Sequence, residues 1–168
     1  MDIQIFQYKE SNLEEIRIIL NEYLSFIAKE LIRPPWNFTL DVEYAVNFTM
    51  NNLDKFAEPY GRLLLVEVDG EIAGTISLRK IREDAGEIKR MYVKPKFRGK
   101  KLGNLLIEEV IEISQRNEFS KLYLDTAHFM SSAISLYKKY GFKETTSYPE
   151  SVIPKGLLYT MIFMMKEL

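Results

Sequence analysis

The sequence predicts an α+β fold: a mixed, mostly antiparallel central sheet of about seven strands with helices on both faces. Three observations predict it. Apolar residues recur with a period of two in some stretches and near 3.6 in others, so strands and helices are interspersed along the chain. The stretch from Arg62 to Arg79, broken by Asp69-Gly70, carries the strongest hairpin signal, because Asp-Gly suits the left-handed positions of a tight primed turn. A strand from Glu87 to Val93 is joined through a helix to another from Lys121 to Thr126, a βαβ unit whose strands run parallel.

Residues 3 to 8 alternate Ile3, Ile5 and Gln7 against Gln4, Phe6 and Tyr8, as a short strand does. Ser11 and Glu14 form a capping-box pattern, and Leu13, Ile16, Leu20, Tyr23, Leu24, Ile27 and Leu31 mark one face of a long helix that Pro34 and Pro35 end. Trp36 and Phe38 follow in a loop, then a weaker helix from about Asp41 to Leu53. The hairpin comes next, with strands Arg62 to Val68 and Glu71 to Arg79, and a second turn at Glu83 to Gly86 leads into the strand that opens at Glu87. Leu102, Leu105, Leu106, Val110 and Ile113 place a helix between the parallel strands. A short helix carries Ala133, Leu136, Tyr137 and Tyr140, with Ser131 or Ser132 to cap its start and Gly141 its end. Phe142 to Tyr148 and Leu157 to Met165 read as closing strands.

Composition narrows the function. A length of 168 residues suits one domain over residues 1–168, and 46% hydrophobic with 28% charged residues reads as globular. A formal net charge of -1 argues against a surface that blankets nucleic acid. The absence of cysteine excludes disulfides, thiolate metal sites and a cysteine nucleophile, and a single histidine excludes a multi-histidine metal site. The amino terminus has no basic region followed by an apolar core, and the longest uncharged apolar run, Gly156 to Met165, is half a membrane span. A soluble cytoplasmic protein that does not bind membranes is the expectation.

The positive charge is local. Lys94, Lys96, Arg98, Lys100 and Lys101 place five cations in eight residues, where a strand stopped by Pro95 turns into the first turn of a helix. Such a start has N–H groups without carbonyl partners and a partial positive charge, and Gly99 and Gly103 have no Cβ to hold an anion away. The stretch reads as a cradle for a phosphate or diphosphate, or else as a solvated basic turn.

Two motifs then carry a family resemblance. Arg98-Gly99-Lys100-Lys101-Leu102-Gly103 resembles the Arg/Gln-x-x-Gly-x-Gly/Ala acyl-CoA loop of the GNAT (general N-acetyltransferase) superfamily, and Ala133-Ile134-Ser135-Leu136-Tyr137-Lys138-Lys139-Tyr140-Gly141-Phe142 resembles its Ala-x-x-Leu-Tyr-x-x-x-Gly-Phe signature. The order of elements is similar too. Lys101 stands where the loop usually has its middle glycine, a position it can fill with a helical backbone, and Met130 stands where many members have asparagine. The resemblance implies a central parallel pair of strands that splay, with the coenzyme's arm in the gap. It also implies that backbone groups of Met91 and Val93 bond that arm, that an N–H near Met91 or Tyr92 polarises the thioester carbonyl, and that the N–H groups of Arg98, Gly99, Lys100, Lys101, Leu102, Gly103 and Asn104 hold the diphosphate.

The same resemblance assigns chemistry. Attack by an amine of pKa near 10.4 needs a base or a desolvating pocket, since only about one molecule in a few thousand is neutral at pH 7. Glu87, at the opening of its strand, matches the place of a base acting directly or through water; its other reading is a solvated strand end. Tyr137 resembles the tyrosine that donates a proton or hydrogen bond to the departing thiolate, and is otherwise a core tyrosine. His128 lies just past the strand that holds Asp125, near where ligands often sit in parallel sheets, or is an ordinary surface residue. Trp36 and Phe38 belong either to the core or to the wall of an acceptor pocket.

The expectation is an acetyl-CoA-dependent N-acetyltransferase that needs no metal and works through a ternary complex, because no cysteine offers an easy acyl-enzyme. The rivals are a noncatalytic acyl-CoA-binding or regulatory module and a nucleotide-binding enzyme, the latter lacking both Gly-x-x-x-x-Gly-Lys-Ser/Thr and Gly-x-Gly-x-x-Gly. A small-molecule amine and a peptide or protein amino group both stay open as acceptor, as does a homodimer.

Overall fold

The computed structural model describes residues 1–168. β1 (Ile3–Gln7) is followed by α1 (Leu13–Leu31) and α2 (Val42–Met50), then by three consecutive strands, β2 (Arg62–Val68), β3 (Glu71–Arg82) and β4 (Ala85–Val93). α3 (Leu102–Arg116), β5 (Lys121–Ala127), α4 (Ser131–Lys139), β6 (Lys143–Thr145) and β7 (Met161–Glu167) complete the chain. The seven strands lie in the order β1-β2-β3-β4-β5-β7-β6, and every pair is antiparallel except β4–β5.

β2 shows why helices cover both faces. Successive strand side chains point to opposite sides, so Leu63 and Leu65 pack with Ile16, Leu20 and Leu24 of α1 and Val46 of α2, while Leu64, Val66 and Val68 pack with the cluster that includes Leu102, Leu106 and Val110 of α3. Four apolar residues in a row, Leu63 to Val66, with Val68 beyond Glu67, thus serve two cores. Gly70 forms the hairpin turn with φ of 84°, and Asp69 before it is also left-handed at 50°, as the Asp-Gly pair predicts.

Boundaries differ from expectation where a short polar turn competes with a periodic pattern. The Ser11–Glu14 capping box does not form, because a 3-10 turn at Glu10–Asn12 precedes α1 and the Asn12 side chain accepts the Lys9 N–H at 3.0 Å. α2 is capped by Asp41, whose carboxylate accepts the Tyr44 N–H at 2.9 Å, and it stops at Met50 before Asn51 and Asn52 rather than at Leu53. Ser131 and Ser132 do not cap α4; they are its first two residues, and Met130 occupies the cap without a side-chain bond. β6 shrinks to three exposed residues paired with β7 at the sheet edge, and a 3-10 turn at Lys155–Thr160 delays the last strand to Met161.

One boundary shift matters for chemistry. The turn between β3 and β4 consists of Glu83 and Asp84 alone, so β4 begins at Ala85 and Glu87 lies inside the strand instead of opening it. β4 and β5 then pair over four positions, from Ala85 with Lys121 to Ile88 with Leu124, and separate. On its other edge β4 carries a bulge: Thr75 faces Tyr92 and Ser77 faces Lys89, so Ile76 stands opposite both Arg90 and Met91, and Arg90 adopts φ of 53°.

Gly74 faces Val93 across β3–β4, and a Cβ there would lie 2.7 Å from the Tyr92 carbonyl oxygen and 3.0 Å from Val66 Cγ1. The obstacle is backbone and cannot swing aside. Gly74→Ala is expected to lower stability by about 1–3 kcal/mol, measured as a drop in denaturant midpoint at unchanged slope; an unchanged midpoint would show that the strands relax freely.

Candidate active site

A cavity of about 610 Å³ opens on the side of β4 that β5 has left, a size that suits a ligand larger than a metabolite fragment. Met91, Tyr92 and Val93 border it from β4, and Arg98, Gly99, Lys101, Leu102, Gly103 and Asn104 from the turn into α3. Among the residues expected to hold a coenzyme, Lys100 alone is not part of the wall. Phe26 of α1 and residues 129 to 133 and Leu136 close the other side.

The turn presents a run of unengaged N–H groups. The N–H groups of Gly99, Lys100, Lys101, Leu102 and Gly103 have no acceptor within the protein, whereas Arg98 N–H donates to the Pro95 carbonyl at 3.2 Å and Asn104 N–H to the Lys101 carbonyl at 3.0 Å. The free run is therefore five groups, not the seven expected from Arg98 through Asn104. Gly99 borders the cavity with φ of 81°, and a Cβ there would meet no protein atom within 4 Å, so the space beside it is open. Gly103 is tight: a Cβ would approach Leu136 of α4 to 3.2 Å. At the start of α4, Ser131, Ser132 and Ala133 also border the cavity with N–H groups that no carbonyl accepts, so a second helix start adds its positive end.

The five cations divide by partner. Lys96 pairs with Glu71 at 2.5 Å and Lys94 lies 3.9 Å from Glu22, while Arg98, Lys100 and Lys101 face no carboxylate. Arg98 is steered by its bond to the Val93 carbonyl at 3.2 Å and by the Tyr92 ring, 5.9 Å away. Lys101 departs from expectation: its backbone is left-handed, with φ of 60° and ψ of 17°, not helical. The fold keeps the glycine-like conformation and imposes it on a side chain.

Where β4 and β5 part lies a buried charge network. Glu87 is wholly buried; its Oε1 accepts from the Tyr148 hydroxyl at 2.6 Å and lies 3.2 Å from Lys89 Nζ, and its Oε2 accepts from Arg79 Nε at 2.5 Å. Lys89 Nζ also donates to Asp125 Oδ2 at 2.5 Å, and Ser151 adds a bond at 3.3 Å. Two cations and two carboxylates alternate, which is how buried charge is tolerated. Glu87 therefore meets no solvent and commits both oxygens to protein donors; it is not the solvated strand end that sequence allowed, nor does it border the cavity.

Tyr137 is 5% exposed, with its ring 5.8 Å from Phe142, and its hydroxyl makes no hydrogen bond within the protein, although it is not sealed from solvent. Burial first, then the nearby Tyr23 and Asp125, hold its pKa well above that of an ordinary phenol. It thus keeps its proton throughout the physiological range; like Glu87 it is not part of the cavity wall, which the adjacent Leu136 borders. Burial also raises Tyr148, with Asp125 and Glu87 adding to the effect, and Tyr23, whose ring packs 5.3 Å from Tyr92.

His128 is exposed and stacks on Trp36 at 5.7 Å, and Trp36 packs against Phe129 and Tyr159 as well; Phe38 lies beside Gly156. None of Trp36, Phe38 and His128 borders the cavity. No three His, Asp or Glu side chains gather as a metal site, and no helix is long and apolar enough to cross a membrane. Sequence reasoning passed over Tyr23, Arg79, Lys89, Asp125 and Tyr148. The available signal was Glu87 and Lys89 two apart in one strand, charges that a strand places on the same face.

A sequence model of the Acetyltransferase (GNAT) family matches residues 23–142. The chain belongs to this family. An uncharacterised N-acetyltransferase of Schizosaccharomyces pombe is 31% identical over 157 residues, covering 92% of this chain and 90% of that protein. A putative ribosomal protein bS18-alanine N-acetyltransferase of Bacillus subtilis is 32% identical over 85 residues, 51% of this chain and 56% of the relative. The PaiA N-acetyltransferase of Thermoplasma acidophilum, in complex with coenzyme A, superposes with a TM-score of 0.76 over 100% of both chains at 19% identity.

Within the GNAT family the chain's own geometry fits the coenzyme. Free N–H groups, the space at Gly99 and three unpaired cations match a diphosphate, and the unpaired edge of β4 matches an amide-bearing arm. Lys101 is the strained point. Lys101→Gly is expected to raise stability by about 0.5–1 kcal/mol, by removing a Cβ from a left-handed backbone. Lys101→Ala, which keeps that Cβ, should show no such gain in thermal melts; equal gains would trace the effect to charge.

Proposed function

We propose that this chain is an acetyl-CoA-dependent N-acetyltransferase, one domain over residues 1–168, moving an acetyl group to a primary amine by direct attack within a ternary complex. The observation that carries the reading is the run of five unengaged N–H groups from Gly99 to Gly103 at a cavity bordered by the unpaired half of β4. Bound acetyl-CoA supplies an activated thioester, whose carbonyl carbon takes the amine nitrogen as its bond to sulfur breaks.

The chain's residues supply the rest. The N–H groups of Gly99 to Gly103, with Arg98, Lys100 and Lys101, hold the diphosphate. Met91 and Val93 offer main-chain groups to the arm, and an N–H near Met91 or Tyr92 takes up charge from the carbonyl oxygen. Tyr137 offers its free hydroxyl proton to the sulfur as negative charge develops there. Its raised pKa makes complete transfer to a thiolate uphill, so a hydrogen bond is its contribution.

Glu87 acts from behind its network. Neither oxygen reaches the cavity, so it positions Lys89 and Tyr148 and takes the amine's proton only by relay through them or through water. The chain lacks cysteine, which favours direct attack over a thiol-linked acyl-enzyme. The reading places the enzyme in the cytoplasm. One observation favours the alternative of a noncatalytic acyl-CoA-binding module: the expected base is fully occupied by protein partners. Incubation with acetyl-CoA and a diverse amine panel separates the two, since coenzyme binding without thiol release above background supports the module.

Tyr137→Phe should lower kcat by about 10–100-fold with coenzyme affinity unchanged; undiminished turnover would remove Tyr137 from the mechanism. Glu87→Gln should cost about 3 kcal/mol of stability, because Arg79 and Lys89 lose the charge that balances them. Calorimetric unfolding of the variant checks this, and a wild-type melting profile would show that the network holds together without that charge.

A further inference from the structure

A second, small cavity of about 40 Å³ lies beside the network, and its wall carries four cations, Lys55, Arg79, Lys89 and Arg90, with no carboxylate. Arg79 and Lys89 are already answered by Glu87 and Asp125. Arg90 is not: its Nε and Nη2 both donate to the Thr49 hydroxyl, at 3.2 and 3.0 Å, and no acid approaches it. Lys55 likewise has no acidic partner and lies over the Phe48 ring. A half-buried guanidinium bonded only to a neutral hydroxyl bears a desolvation cost that a bound anion would offset.

The backbone aims it there. In a regular strand Lys89 and Arg90 would point to opposite faces, yet both border this cavity, because the bulge opposite Ile76 turns Arg90 through a left-handed φ of 53°. Strain of this kind in a non-glycine residue is concentrated at functional positions. Met91, Tyr92 and Val93, the next three residues, border the large cavity. The residues that border the anion site and the proposed reaction site are therefore consecutive along β4.

We propose that the acceptor is a small primary amine bearing an anionic group, a carboxylate or a phosphate, a few bonds from its nitrogen, with Arg90 binding that group and Lys55 assisting. This rests on the transferase reading above and names the substrate class. The small cavity admits an anionic headgroup and little more, and the adjacency of Arg90 to Met91 along β4 favours a short spacer between charge and amine.

The test uses the full chain saturated with coenzyme. Amino acids, their uncharged amides, phosphoethanolamine and a short peptide with a free amino terminus and amidated carboxyl terminus are compared by calorimetric binding, and by thiol release with acetyl-CoA. The expected result is that amino acids or phosphoethanolamine are favoured at least about 10-fold over uncharged amines, and that Arg90→Gln reduces this preference by about 30-fold, chiefly through KM. The two anionic arms decide between carboxylate and phosphate. Lys55→Ala, an exposed change that leaves the core intact, should reduce the preference by about 3-fold. Coenzyme binding by Arg90→Gln reports its folding, and should that variant fail to fold, the Lys55→Ala result decides.

Preference for the amides or the peptide, or a preference for anions that survives Arg90→Gln, overturns the proposal while leaving the transferase standing. Coenzyme binding without thiol release from any amine overturns the transferase reading instead. Calorimetry then still decides the anion site: anionic amines that bind wild type but not Arg90→Gln uphold it, and failure of all anionic amines to bind removes it.

Discussion

The parting of two parallel strands is the constraint on which the rest depends. β4 and β5 hold each other through four paired positions and then diverge, leaving main-chain groups of β4 without a neighbour. A sheet interior ordinarily forbids this, since unpaired backbone is costly away from water. Three things make it tolerable here: a cavity admits solvent or ligand to the exposed edge, a bulge on the opposite edge bends β4, and ion pairs occupy the crotch between the strands. Each is also a component of the proposed chemistry. Support of the fold and presentation of the site are the same arrangement, seen from its two ends.

Electrostatics divides the region into two zones. The crotch is balanced, with Arg79 and Lys89 answered by Glu87 and Asp125, and it is shielded by aromatic rings, Tyr148 against Tyr123 at 4.8 Å and Phe163 at 5.9 Å. The flanking cavities are unbalanced and positive. On one side are free N–H groups with Arg98 and Lys101, and on the other Arg90 and Lys55. A net charge of -1 hides this, because the compensating acids lie elsewhere on the surface.

Much of the architecture was legible in the residues. Asp69-Gly70 announced its hairpin, the strand–helix–strand pattern announced the parallel pair, and the turn before a helix start announced N–H groups without carbonyl partners, which run from Gly99 to Gly103. Harder to read were features set by neighbours distant in sequence. Glu87 reads as solvated until Arg79 is known to face it across β3–β4, Tyr148 to reach it over 61 residues, and the preceding turn to be only two residues long. Arg90 gave no signal at all, since nothing about an arginine announces a left-handed backbone. Lys101 misled because propensity favours a helical lysine, and the loop's geometry overrides it. The closing strands were overdrawn for a related reason: Phe142 to Tyr148 has apolar ends, but its middle lies at an edge with one neighbour.

β2 serves two cores with alternate residues, Leu63 and Leu65 on one side and Leu64, Val66 and Val68 on the other. The hairpin consequently loses the usual safeguard of alternating polarity, for a slip by one residue would still present oil to both layers. Its alignment is chosen instead by side-chain volume, by the Asp-Gly corner and by the bulge that shifts the pairing between Val66 and Glu67, which together make the few residues around that corner the keepers of the hairpin's register.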